Sequence, residues 1–138
     1  MSESIQLTKD QYDEILRHAQ AGLPNEACGL LGGVAEDGRK QIKKVYLLTN
    51  TDHSPEHFSM DPAEQIKAVK DMRQNGWTLL GNFHSHPASP SRPSEEDKRL
   101  AFDSVASYLI LSLQEREIPV LRSFHIEQGV VSEEKITI

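Results

Sequence analysis

The sequence predicts an α/β fold in which helices flank a mixed, largely antiparallel β-sheet. Two segments that begin with a capping residue carry apolar side chains at helical spacing. About six further segments are short and apolar, as strands are. The last two, residues 120–126 and 130–138, are joined by a glycine-containing turn that is typical of a hairpin.

The composition favours a single globular domain that spans residues 1–138. The net charge of −6 argues against a nucleic-acid partner, because phosphate binding needs a basic surface. No stretch reaches the roughly 18 apolar residues of a membrane span, and the first ten residues do not resemble a signal peptide. A single cysteine, Cys28, can form no internal disulfide, so we expect a reducing, cytoplasmic location.

The first helix has a recognisable start and end. Residues 5–7 are expected to form a short strand, after which Thr8 caps the helix and Gln11 completes a capping box. Gly22 suits the end of the helix. The side chains that recur at helical spacing and should be buried are Tyr12, Ile15, Leu16 and Ala19.

Strands follow this helix. Residues 28–31 read as a strand that ends in a Gly-Gly turn at residues 32–33. A hairpin turn is expected at residues 36–39 and a second strand at residues 41–49. Residues 50–57 form a polar loop.

The second half of the chain begins with a short strand at residues 58–60. Asp61 caps a second helix, whose core-facing side chains are predicted to be Ile66, Val69 and Met72. Residues 77–83 read as a buried strand, opened by Trp77 as a core residue. A short third helix is expected over residues 94–102, followed by a central strand at residues 105–113.

Two imidazoles and one carboxylate form the most informative pattern in the chain. His84 and His86 lie two residues apart at the end of a predicted strand, so their side chains share one face. Pro87 ends that strand, and a proline-rich loop can return the chain so that Asp97 faces the histidines. Three such ligands with one open position are typical of a catalytic zinc site. The pattern therefore predicts that His84, His86 and Asp97 bind Zn²⁺.

Ser94 and Asp97 also fit a helix N-terminus, with Ser94 as the N-cap and Asp97 at position N3. Taken alone, this common helix start would explain both residues. The two interpretations are compatible, because the first turn of a helix is a rigid place for a metal ligand.

The whole pattern resembles the JAMM signature of the MPN-plus zinc metalloproteases. That signature consists of an upstream glutamate, His-x-His, seven residues, and Ser-x-x-Asp, and Glu26 supplies the glutamate directly before the strand at residues 28–31. The resemblance extends over nearly the whole chain and is to short, stand-alone prokaryotic members. It implies a curved sheet with helices on both sides, an architecture similar to that of cytidine deaminases.

The resemblance also implies a zinc-dependent peptidase or isopeptidase. Glu26 then acts as general base and later as general acid, and Ser94 helps to stabilise the tetrahedral oxyanion. Short prokaryotic relatives act on small ubiquitin-like proteins, including sulfur carriers that end in Gly-Gly. We therefore expect such a carrier as the partner, with hydrolysis directly after its Gly-Gly tail.

Other functions stay open. A general zinc peptidase on short peptides and a noncatalytic MPN-type interaction module share the same domain. A zinc deaminase would need a Pro-Cys-x-x-Cys motif, which argues against this class in a chain with one cysteine. The sequence leaves the oligomeric state open.

The remaining histidines and the cysteine are not counted as ligands. His18 is expected at the surface or at a helix cap, and His125 within a strand. His53 and His57 are expected to be exposed in their loop, with a supporting role near the site left open. Cys28 has apolar neighbours and is expected to be a small buried hydrophobe, not a nucleophile.

Overall fold

A computed structural model describes residues 3–138. The expectation about a signal peptide concerns the first ten residues, of which Met1 and Ser2 lie outside this range. No helix within the range combines the length and the apolar character that crossing a membrane requires. The elements are β1 (Ser4–Gln6), α1 (Lys9–Gly22), β2 (Cys28–Glu36), β3 (Arg39–Leu48), α2 (Pro62–Gln74), β4 (Thr78–His86), α3 (Glu95–Arg99), β5 (Ser107–Ser112), β6 (Val120–Glu127) and β7 (Val130–Thr137).

The strands form one strongly curved sheet in the order β1-β3-β2-β4-β5-β6-β7. The short β1 pairs in parallel with both β3 and β7, so the sheet closes on itself. β4 and β5 are also parallel, and the other four pairs are antiparallel. The predicted fold class, a mixed and largely antiparallel sheet, is confirmed, with seven strands in the described range where about six were expected.

Alternating side chains of β2 contact different helices. Leu31 belongs to the main core, which includes Ile15 and Ala19 of α1. Leu30 faces the other way, into a second cluster against α2 that consists of Cys28, Leu30, Tyr46, Leu48, Ala68 and Met72. Because neighbouring residues of a strand point to opposite faces, one strand holds a helix on each side of the sheet. Helices on both faces were expected.

The predicted starts of the first two helices are confirmed. The Thr8 hydroxyl accepts the Gln11 N–H at 3.1 Å, and the Gln11 side chain accepts the Thr8 N–H at 2.9 Å. Asp61 accepts the Ala63 N–H at 2.9 Å, with Pro62 at the first helical position. The predicted core face of α2 was partly wrong, because Ile66 is 58 % exposed and the buried residues are Ala68 and Met72.

The predicted turn at Gly32 and Gly33 was wrong. Both glycines lie inside β2, at an irregularity in its pairing with β3 and β4. A Cβ at Gly33 would lie 2.0 Å from the Gln41 carbonyl oxygen, so the close approach of β3 explains this glycine. The chain reverses later, at Asp37 and Gly38, both of which have positive φ angles.

Two further boundaries differ from the prediction. Residues 58–60 form only an isolated bridge between Met60 and Asn50, because the Asn50 side chain accepts the hydrogen bond of the Ser59 N–H. The third helix ends at Arg99 and does not continue through Phe102, which is 88 % exposed.

Candidate metal centre

β4 brings His84 and His86 to one end of the sheet, on the same face of the strand. Both are buried, at 2 % and 4 % exposure. The strand is fixed on both sides, because β4 pairs with β2 and β5 up to its last residues. Pro87 follows directly and ends the strand, as expected.

α3 brings Asp97 to the two histidines. Its first turn has the predicted capping box, in which Ser94 Oγ accepts the Asp97 N–H at 3.0 Å and Asp97 Oδ2 accepts the Ser94 N–H at 2.9 Å. The same Oδ2 lies 3.2 Å from Nε2 of His84 and 3.2 Å from Nε2 of His86. The cap therefore fixes the carboxylate at the point where the histidines converge.

Three potential ligand atoms thus form a compact triangle. Its third side is the 3.1 Å separation between Nε2 of His84 and Nε2 of His86. Two imidazole nitrogens this close need a proton or a cation between them. Within residues 3–138, this is the one group of three that could hold a metal ion. The structure therefore assembles all three of the ligands suggested by the sequence.

The electrostatics of the triangle favour a negative Asp97. Burial raises the pKa of the carboxyl group, but hydrogen bonds from His84 and His86, together with the charge of His84 and the Ser94 N–H, outweigh it and hold the pKa well below its usual range. Burial lowers the pKa of His86, but hydrogen bonds to Asp97 and to the Pro90 carbonyl outweigh it, so the net shift is upward. The site is built to hold positive charge beside a carboxylate.

The Pro90 carbonyl fixes the orientation of the His86 ring. His86 Nδ1 lies 2.9 Å from this oxygen, so Nδ1 carries the proton and Nε2 is free to bind a cation. The loop is anchored on either side of Pro90. The Ser91 hydroxyl donates to the Ile110 carbonyl at 2.7 Å, and the Ser112 hydroxyl donates to the Ser89 carbonyl at 2.6 Å.

Glu26 lies just before β2 and is 5 % exposed. Its neighbour Ala27 exchanges two hydrogen bonds with Ser85, the residue between the two histidines, at 2.8 and 3.0 Å. Burial raises the pKa of the Glu26 carboxyl to about 8, a rise that the nearby His86 opposes and the negative Asp97 assists. The structure thus places the candidate base beside the histidine strand.

Ser94, the second candidate catalytic residue, is exposed at the start of α3. Its oxygen accepts from the Asp97 N–H, and this leaves the hydroxyl hydrogen available to another acceptor.

Four histidines lie outside the triangle. His18 was expected at the surface or at a helix cap. It is half-buried, with Nε2 3.2 Å from the Cys28 carbonyl and 3.0 Å from the Leu48 carbonyl. His125 is a buried strand residue, as expected. His53 and His57 are exposed, as expected, although His57 lines the cleft of about 190 Å³ that His84 and Asp97 also line.

Cys28 is fully buried in the second cluster, as predicted for a small hydrophobe. Burial raises the pKa of its thiol to about 12. A thiol in this state is a poor nucleophile.

Sequence reasoning missed three groups that shape the site: Ser85, the Pro90 carbonyl and Phe58. Ser85 carries a detectable signal, because strand alternation turns this polar side chain into the core, where it needs a partner. The other two carry none. A backbone acceptor has no side-chain signature, and the Phe58 ring reaches His84 from a distant loop, with ring centroids 4.7 Å apart.

Comparison with known proteins identifies the family. The model for prokaryotic homologs of the JAB domain matches residues 8–127. The chain belongs to this family. The resemblance seen in the sequence is therefore confirmed. The JAB family is metal-dependent, and the chain has a His-His-Asp site of the kind that a metal ion occupies.

Several JAB relatives extend over most of the chain. The CysO-cysteine peptidase of Mycobacterium tuberculosis is 31 % identical over 129 residues, which is 94 % of this chain and 87 % of that protein. Desampylase of Haloferax volcanii is 30 % identical over 116 residues, covering 80 % of this chain and 82 % of that protein. The solution structure of protein DSY2949 from Desulfitobacterium hafniense has 62 % identity and a TM-score of 0.89, covering 96 % of this chain and 91 % of that one.

Proposed function

We propose that residues 1–138 form one JAMM/MPN-plus domain that acts as a zinc-dependent peptidase or isopeptidase. It hydrolyses the bond after the C-terminal Gly-Gly of a small ubiquitin-like or sulfur-carrier protein. The observation that carries the proposal is the convergence of two imidazole nitrogens and one carboxylate oxygen, 3.1–3.2 Å apart, next to a buried glutamate. A complete ligand set argues against a noncatalytic module.

The triangle is close in size to the ligand set of a tetrahedral zinc site. Zinc lies about 2.0–2.2 Å from nitrogen and oxygen ligands, so the ligands of a tetrahedral site lie about 3.3–3.5 Å apart. The observed separations of 3.1–3.2 Å are close to this value. His84, His86 and Asp97 would hold the ion and leave the fourth position for the reaction.

The proposed reaction also uses Glu26 and Ser94. Bound zinc supplies a Lewis acid that polarises the scissile carbonyl and increases the acidity of water. The Glu26 carboxylate accepts the proton of the attacking water and then donates it to the leaving amine. The Ser94 hydroxyl donates to the oxyanion that develops on the carbonyl oxygen.

The substrate class follows from the relatives and from the chemistry of a Gly-Gly tail. One relative is named a CysO-cysteine peptidase and another a desampylase. Another is named a probable TtuB-protein conjugate cleaving protease. Glycines have no side chains, so an extended tail can enter a narrow site and bring its last carbonyl to the metal. The leaving group is an amino acid such as cysteine or a lysine of a conjugated protein, and the reaction belongs in the cytoplasm.

A substrate panel tests this function. A carrier that ends in Gly-Gly, linked to cysteine or to a lysine, is incubated with the zinc-loaded protein and followed by intact mass. The matched control is the same carrier with Ala-Ala in place of Gly-Gly, and each reaction is repeated with chelator. We expect chelator-sensitive release after Gly-Gly and little after Ala-Ala. Cleavage of unrelated peptides at a comparable kcat/KM would instead indicate a general peptidase.

A further inference from the structure

The two histidines of the triangle are held in different ways. A metal-ligating histidine usually donates its second ring N–H to a carboxylate, a carbonyl or water. His86 follows this rule, through the Pro90 carbonyl. In His84, Nδ1 is buried, and no side-chain or backbone group in residues 3–138 forms a hydrogen bond with it. The protein contact that holds the His84 ring is therefore of another kind.

That contact is with Phe58. The two rings are stacked, with centroids 4.7 Å apart and planes inclined by 27°. Phe58 is half-buried and packs against the second cluster. Rotation of the imidazole out of this plane about its Cβ–Cγ bond would lose the face-to-face contact, so the stacking holds the ring in the plane in which Nε2 lies 3.2 Å from Asp97 Oδ2.

The loop around Phe58 is fixed by hydrogen bonds to the residues before and after it in the chain, His57 and Ser59. Asn50 Nδ2 donates to the His57 carbonyl at 3.1 Å, and Asn50 Oδ1 accepts the Ser59 N–H at 3.2 Å. The Asp52 carboxylate binds the side chains of the same two residues, at 3.3 Å to His57 Nδ1 and 2.9 Å to Ser59 Oγ. The backbone and side chains that flank Phe58 are therefore held in place.

We propose that Phe58 is a positioning residue for His84, and that its ring stacking fixes the plane of this imidazole, whereas the Pro90 carbonyl fixes the ring of His86 through a hydrogen bond. The proposal rests on the metal site of the proposed function. Asn50 extends the effect to the candidate base, because the same Nδ2 also donates to the Glu26 carbonyl at 3.0 Å. One amide thus connects the Phe58 loop to the residue that carries the base.

The test measures zinc affinity, because Phe58 also lines the cleft next to His84 and activity would report on substrate as well. Zinc is titrated against a chromophoric chelator for the wild type, Phe58→Leu, Phe58→Tyr and Trp77→Leu. Trp77 is the matched control, since it is also half-buried against the second cluster. We expect Phe58→Leu to bind zinc about tenfold more weakly, as when the partner of a ligating histidine is lost. Phe58→Tyr and Trp77→Leu should keep the wild-type affinity.

The possible outcomes separate the two proposals. A wild type that binds no zinc overturns the proposed function and, with it, the role of Phe58. A wild type that binds zinc, with Phe58→Leu equally tight, overturns only the positioning role. Equal weakening in Phe58→Leu and Trp77→Leu does the same, because it indicates a general loss of stability. If Phe58→Leu does not fold, Phe58→Met fills the same space without a ring and is expected to show the same tenfold loss.

Discussion

Glu26 is a buried carboxyl group whose environment suits proton transfer. A general base works best when its pKa lies near the working pH, and burial raises that of Glu26 to about 8. Its position is set by the backbone on both sides. The Glu26 N–H donates to the Ser54 carbonyl, and Ala27 is paired with Ser85.

Replacing the Glu26 carboxyl group by an amide tests its role in catalysis separately from metal binding. We expect Glu26→Gln to keep its fold and its metal and to lose about 10²–10⁴-fold in kcat, the usual contribution of a general base. Metal content and kcat are measured together, with Glu36→Gln, at the exposed end of β2, as the control. Activity of Glu26→Gln within a few-fold of wild type would remove Glu26 from the mechanism.

The raised pKa of the Cys28 thiol predicts how the rate of its alkylation depends on pH. A rise in the thiol pKa from 9.0 to about 12 lowers the thiolate fraction at neutral pH about 10³-fold. Iodoacetamide should therefore react very slowly with the folded protein, at a rate that still increases above about pH 10, where the rate for a free cysteine has levelled off. Unfolded protein in denaturant is the control and should react quickly. Fast alkylation of the folded protein at pH 7 would contradict the burial of this thiol.

At the scale of one residue, the sequence predicts the ligands but not their supports. The convergence of His84, His86 and Asp97 can be predicted because strand alternation and a helix cap are local rules. The contact between Phe58 and His84 joins residues 26 positions apart in the chain, and no local rule predicts it.

The boundaries of the helices were also predicted only in part. Helix starts at Thr8 and Asp61 were predicted correctly, because the capping side chain bonds within its own first turn. The end of α3 was not predicted correctly. There the Asp103 carboxylate accepts the Val105 and Ala106 N–H groups at 2.9 and 3.3 Å and turns the chain towards β5, which the apolar pattern conceals.

The glycine pair of β2 allows a test of strand packing. Gly33→Ala would place a methyl group 2.0 Å from the Gln41 carbonyl oxygen, a backbone atom that cannot rotate away. We expect a loss of about 1–3 kcal/mol in the free energy of unfolding, the usual cost of overpacking. Gly22→Ala, where the nearest atom would be 3.8 Å away, is the control and should cost little. Equal urea midpoints for the two variants would contradict the close approach of β2 and β3.

Across the whole molecule, a buried polar network joins five of the seven strands. Lys40 Nζ in β3 donates to the Leu80 carbonyl at 3.2 Å and to the Ser107 hydroxyl at 2.8 Å. Ser107 in turn donates to Glu134 of β7 at 2.7 Å, and so does Ser123 of β6. Burial lowers the pKa of Lys40, and the charge of Glu134 opposes this shift. The sequence shows these polar residues, but only closure of the sheet brings them together.

Removing the ammonium group should destabilise the closed sheet. Lys40→Met leaves buried oxygens without their donor, and we expect a loss of about 3 kcal/mol in the free energy of unfolding, as when one partner of a buried charged pair is removed. Lys43→Met changes an exposed lysine of the same strand and should have little effect. Urea unfolding followed by circular dichroism measures both. A Lys40→Met variant as stable as Lys43→Met would show that the network does not hold the strands together.

The central claim is that His84, His86 and Asp97 form a zinc site. The most direct test is elemental analysis of protein purified without added metal. The account predicts one zinc per chain in the wild type, most of it lost in Asp97→Ala and all of it lost in the variant with both His84→Ala and His86→Ala. Stoichiometric zinc in that double variant would contradict the account.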